Sequence, residues 1–135
     1  MAMKNAIHRP EWVPAAGHQL HVAGVHFDAV RVEGLRGELV AEWLIEASDG
    51  DAGPIVCEAS RSRWVYFLLA PGAVPGRDWP LGVQRLGGRE PGAVAVTYVG
   101  IPALEGDTWP LRWYSEPTPT APYVDGEALA AAVGR

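Results

Sequence analysis

One cysteine, one lysine and no long apolar run set the first limits on this chain of 135 residues. Cys57, standing alone, excludes an intramolecular disulfide and a zinc site built from several cysteines. No stretch approaches the roughly 20 apolar residues of a membrane-spanning helix, and no secretory signal is recognisable, so a soluble, cytoplasmic protein without membrane contact is expected. Cations are few: ten arginines and Lys4 stand against sixteen acidic residues, a formal charge of −5. Non-specific affinity for nucleic acid rests on cations that neutralise phosphates, so a general nucleic-acid binder is disfavoured. The preference for arginine over lysine reads first as the mark of a GC-rich genome and only second as phosphate binding. Charge is also uneven. Residues 1–60 carry four basic against nine acidic residues, 61–112 six against four, and 113–135 one against three, which leaves a local basic face open.

What is present is apolar content of 48%, enough to bury one core, with 12 prolines and 16 glycines spread along the chain. Such punctuation predicts many short elements joined by tight turns. Residues 1–16 read as an extended, proline-broken arm that either packs through Trp12 or stays loose, and residues 17–135 as a single domain. "HQLHVAGVHFDAVRVEG" alternates like one or two strands. "LRGELVAEWLIEA" predicts a helix with Leu35, Leu39, Val40, Trp43 and Leu44 on one face, and Glu38, Glu42 and Glu46 on another. That acidic stripe is a solvated face unless something basic docks there. "IVCEA" and "WVYFLLA" predict strands, the second central and buried on both faces. "LGVQRL" and "AVAVTYVG" follow as strands around a "GGREPG" turn. "TWPLRWYS" suits an edge strand that tolerates Pro110, and "DGEALAAAV" a short closing helix capped by Asp125. The order is ββαβββββα. The expected fold class is α+β: a mostly antiparallel sheet, one amphipathic helix after the first strands, and a short C-terminal helix.

The four histidines, His8, His18, His21 and His26, all lie in the first fifth of the chain. On a strand, positions two apart face the same way, so His26 and Asp28 are a candidate catalytic pair able to share a proton or, with His18 or His21, a metal. Their spacing matches no zinc pattern, and a polar pair at a surface is the plainer reading. No metal ligand set is assigned. Ser60, Ser62 and Cys57 lack a nucleophile elbow, and Cys57 within an apolar strand reads as a small buried hydrophobe. "GGREPG" has neither the lysine of a phosphate loop nor a following helix. "SRSRWVYFLLAPG" brings Arg61 and Arg63 to the start of a buried strand. Arg61, Arg63 and Arg85, with Trp64 and Tyr66, form the candidate ligand- or phosphate-binding set. Of the six tryptophans, Trp79, Trp109 and Trp113 lie in proline-bearing contexts that suit either packing or the wall of a groove.

Read in order, the pieces resemble the N-terminal domain of bifunctional primase–polymerases, in its actinobacterial form. The likeness covers residues 22–117: a strand bearing Asp28, a helix, a strand, then Arg63-Trp64-Val65-Tyr66-Phe67, a Pro-Gly loop, "GVQRLGG", a strand ending near a proline, and a Trp-bearing terminal strand. The family has Arg-His-Leu-Tyr-Phe and Gly-Val-Asp-Ile-Arg-Gly at the two central motifs. The resemblance implies nucleotidyl transfer with paired carboxylates holding divalent metal. Here the departures fall on the chemistry. Val30 stands where a second carboxylate is expected, Trp64 replaces the histidine that contacts the incoming phosphate, and Gln84 replaces the aspartate of Gly-Val-Asp.

The expectation is therefore a scaffold that keeps the fold and has lost the reaction: a non-catalytic binding or regulatory protein without a resident cofactor, its partner another protein or a nucleotide. A homodimer through the β edge at 109–114 stays open. One rival is an enzyme using His26, Asp28 and Arg63 in a metal- or phosphate-dependent reaction, with Mg²⁺ or Mn²⁺ as cofactor, which requires the three to converge in one pocket. The other is a nucleic-acid-binding module using Arg61, Arg63, Arg85, Arg89 and Arg112, which requires one continuous positive face.

Overall fold

A computed structural model describes residues 8–60, 63–75, 77–87 and 97–134. β1 spans His18–Val22, β2 Asp28–Val32, β3 Ile55–Glu58, β4 Val65–Leu69, β5 Val83–Leu86, β6 Tyr98–Pro102 and β7 Leu111–Ser115; α1 spans Gly34–Ala47 and α2 Gly126–Val133. The order ββαβββββα is the one read from the sequence, and the fold is α+β.

β2 and β4 lie inside a five-stranded sheet of order β5-β2-β4-β3-β7, in which every neighbouring pair is antiparallel. A strand covered on both faces must be apolar on both, which is why "VYFLL" shows little alternation, whereas "DAVRV" carries Asp28 and Arg31. On one face Val30, Val32, Ile55, Phe67 and Leu69 meet α1 and α2. On the other, Ala29, Val56, Leu68 and Leu86 meet Val99 and Ile101.

That second layer departs from the single sheet expected. β1 pairs with β6 in a separate antiparallel ribbon, His18 opposite Pro102, more than 80 residues apart in sequence. The chain leaves β1 through Gly24 (φ 100°), whose N–H donates to the Phe27 carbonyl at 2.6 Å. It passes Gly87, where a Cβ would stand 2.7 Å from the Gly24 nitrogen. The two backbones cross at a place that admits no side chain. Trp12 and Val13 are buried in the same layer, and the Trp12 ring stacks on Tyr123 with centroids 6.4 Å apart. The described part of the N-terminal arm is thus packed through Trp12.

α1 differs from expectation in which face it buries. Gly37, Val40, Ala41 and Leu44 face the sheet, while Leu35 and Leu39 face outward. Gly37 explains the rotation: a Cβ there would lie 2.5 Å from the Val32 carbonyl oxygen and 2.9 Å from Val65 Cβ. Glycine and alanine let the helix axis approach the sheet where larger side chains would hold it off. α2 begins, as expected, at Asp125, whose carboxylate accepts the Glu127 N–H at 3.1 Å. Trp79 and Trp113 are packing residues, their indoles donating to the carbonyls of Val74 and Ala103, whereas Trp109 stands exposed. The "GGREPG" turn beyond Gly87 and the first half of "AVAVTYVG" lie outside the described residues.

Candidate functional site

Strand alternation sends Val30 and Val32 of β2 toward the helices and Ala29 and Arg31 toward the opposite side. Register then sets what Arg31 meets. It lies opposite Tyr66 of β4 on one side and Gln84 of β5 on the other, so three adjacent strands present Gln84, Arg31 and Tyr66 in a row. Trp64, two residues before Tyr66, extends the row. Arg31 Nε donates to Gln84 Oε1 at 2.6 Å, and Nη1 donates to the Tyr66 hydroxyl at 3.3 Å. The guanidinium carbon sits 4.2 Å from the centroid of the Trp64 ring, a cation–π contact.

These partners are all neutral. Among the described residues the ion pair formed is Arg63–Glu38, and Arg31 has no carboxylate beside it. Its neighbours are also left with donors to spare. An arginine has no acceptor, so the Gln84 atom facing it is the carbonyl oxygen, and the amide N–H₂ points elsewhere. Tyr66 accepts from Arg31 and so keeps its own O–H to give. A fixed positive charge, an amide N–H₂ and a hydroxyl thus gather on one half-exposed patch, a set suited to an anion with several acceptor oxygens.

Trp64 and Tyr66 of the candidate ligand set therefore do come together, but around Arg31. The arginines named with them go elsewhere. Arg63 (φ 58°) bonds Glu38 Oε2 of α1 at 2.8 Å. Arg85 lies on β5 and Arg112 on β7, the two outer strands of the sheet, four strand spacings or roughly 19 Å apart. Arg112 covers the Tyr114 ring at 5.1 Å. Arg61 and Arg89 lie outside the described residues. Of the five arginines named for a nucleic-acid face, Arg63 is thus paired with Glu38, and Arg85 and Arg112 stand on opposite outer strands of the sheet.

The candidate catalytic residues are also separated. Asp28 pairs with Leu69, at one end of β4, whereas Arg63 precedes the other end by two residues, roughly 20 Å away along the strand. Asp28 is fully buried, and its Oδ2 accepts the N–H groups of Gly72 (3.0 Å) and Val74 (3.1 Å), while Oδ1 has no hydrogen-bond partner among the described residues. It anchors the Pro-Gly loop. His26 instead faces His21, ring edge to ring face at 5.7 Å, and its carbonyl accepts the Tyr123 hydroxyl. Convergence of His26, Asp28 and Arg63 in one pocket, which the enzyme reading required, is not found. Among the described residues no three His, Cys, Asp or Glu side chains gather as metal ligands. Cys57 is buried in β3, and burial pushes its thiol up.

A groove of about 440 Å³ opens between the end of α1 and the start of α2, lined by Leu44, Asp51, Thr120, Val124, Asp125 and Ala128. Asp51 there is already satisfied by the hydroxyls of Thr118 and Thr120, which hold its carboxyl below the usual range. Arg31 was not singled out as a binding residue from sequence. The available signal was a charged residue inside a central strand, at a position of opposite parity to Asp28. Comparison of the chain with family models, with curated proteins and with solved structures finds no match.

Proposed function

We propose that the chain is a non-catalytic, primase–polymerase-like domain that binds a phosphate-bearing nucleotide at Arg31 and acts as a binding or regulatory protein. The observation that carries this reading is a guanidinium positioned by Gln84 and Tyr66 and stacked on Trp64, with neutral partners only among the described residues. Two further features support it. Trp64 and Gln84 are the positions at which the resemblance expects a phosphate-contacting histidine and a carboxylate, and they flank Arg31 on one face of the sheet. Asp28, the acidic residue of that strand, is committed to the loop at Gly72 and Val74. A guanidinium supplies the positive charge that paired carboxylates would otherwise recruit as metal.

Thermal unfolding with a nucleoside triphosphate, in chelator and in Mg²⁺, tests the proposal. Ligand at about 100 times its dissociation constant stabilises the folded state by about 2.7 kcal/mol. The midpoint should rise in chelator as well as in Mg²⁺, and the rise should disappear in Arg31→Gln. A shift that needs Mg²⁺, or that survives Arg31→Gln, contradicts the reading; Gln84→Ala, at an exposed edge-strand position, provides a second variant.

A further inference from the structure

Helix α1 turns two leucines toward solvent. Leu35 and Leu39, one turn apart, are 71% and 57% exposed, and Leu81, at the entry to β5, is 95% exposed. Arg36 holds the surrounding elements together: Nη1 donates to the Leu81 carbonyl at 2.9 Å and Nη2 to the Val133 carbonyl at 2.8 Å. Between α1 and α2 runs a groove of about 340 Å³, lined by Leu39, Val40, Trp43, Ala132 and Val133 beside Arg36. The surroundings are acidic. Residues 33–47 contain four glutamates and one arginine, and Glu33, Glu42 and Glu46 are exposed while Glu38 is engaged by Arg63. Glu42 and Glu46 fall on the same side of the helix as Leu35 and Leu39 at 100° per residue.

We propose that this face docks a basic amphipathic helix of a protein partner. A groove between two helices accepts apolar anchors at i, i+3 or i+4 and i+7, and basic residues flanking those anchors would meet Glu42 and Glu46. A second copy of this chain would set the same glutamates against each other, so charge selects a different, basic partner. An anionic membrane is repelled on the same ground. This inference rests on α1 and is independent of Arg31.

The probe is a synthetic helix of about 18 residues with leucines at that spacing and lysines on the flanks, together with a twin carrying glutamates instead. Each is titrated into the full chain and followed by fluorescence anisotropy. The lysine peptide should bind, Leu39→Asp should weaken it by about tenfold or more, and Glu42→Lys/Glu46→Lys should reverse the preference toward the glutamate twin. All three side chains are solvent-facing, and circular dichroism confirms that the variants stay folded. Arg31→Gln should leave peptide binding unchanged, which keeps this result distinct from the nucleotide proposal. Failure of the lysine peptide to bind, equal binding of the twins, or indifference to both variants overturns the proposal. So does sedimentation showing a dimer of the chain that Leu39→Asp dissolves, which would assign the face to a second copy.

Discussion

Asp28 and Arg31 stand three positions apart on one strand and face opposite sides of the sheet, and their partners separate their roles. The Asp28 carboxylate accepts two backbone N–H groups from the loop after β4, so its removal leaves two donors unpaired beside a buried core. Asp28→Ala should cost about 2–3 kcal/mol, read as a lower urea midpoint, with nucleotide affinity per folded molecule unchanged. A variant as stable as the parent would contradict the anchoring role. His21 supplies a second residue-level test. Burial lowers its pKa below the ordinary 6.5, the charge on His26 lowers it further, and a hydrogen bond to the Trp12 backbone opposes them. The folded state therefore prefers neutral His21. Its contribution is fully present above pH 6.5 and is lost as pH falls below that value toward the lowered pKa, because the unfolded chain binds the proton first. Urea midpoints measured from pH 7.5 to 5 should decline, and His21→Gln should flatten that decline.

At the scale of elements, α1 is set by its closest point to the sheet. Gly37→Ala improves helix propensity by about 1 kcal/mol, yet its Cβ would collide with the Val32 carbonyl and Val65, so the variant should lose about 1–3 kcal/mol overall. A gain in stability would show that the helix is free to shift. The same glycine marks the limit of what was legible beforehand. Element order follows from local signals: alternation in 18–32, 3.6-residue periodicity in 35–47, and the Asp125 cap. The buried face of α1 was hidden because Gly37 and Ala41 carry little hydrophobic signal while permitting the closest packing. The β1–β6 ribbon was hidden because it joins segments far apart in the chain, such as His18 and Pro102, and no local pattern encodes such a register. The site divides in the same way. Trp64 and Tyr66 were recognised from the motif around them, but their meeting with Arg31 and Gln84 depends on the register of three strands. Arg63, which the sequence motif favours over Arg31, is engaged by Glu38 in the fold.

The whole molecule carries a net charge of −5 and presents two faces of different character. The helix side offers exposed leucines among glutamates, and the far side of the sheet offers Arg31 with neutral donors around it. An acidic chain that binds a phosphate must do so through such a local, oriented charge, since its overall field opposes the ligand. The most direct measurement is a ¹H–¹⁵N titration of the chain with a nucleoside triphosphate in chelator, following the Arg31 Nε–H and the Trp64 indole N–H. Both resonances should shift together and saturate, in step with the backbone amides of Tyr66 and Gln84 and without added metal. If these resonances stay still while others move, or move only after Mg²⁺ is added, Arg31 is not a metal-independent anion site.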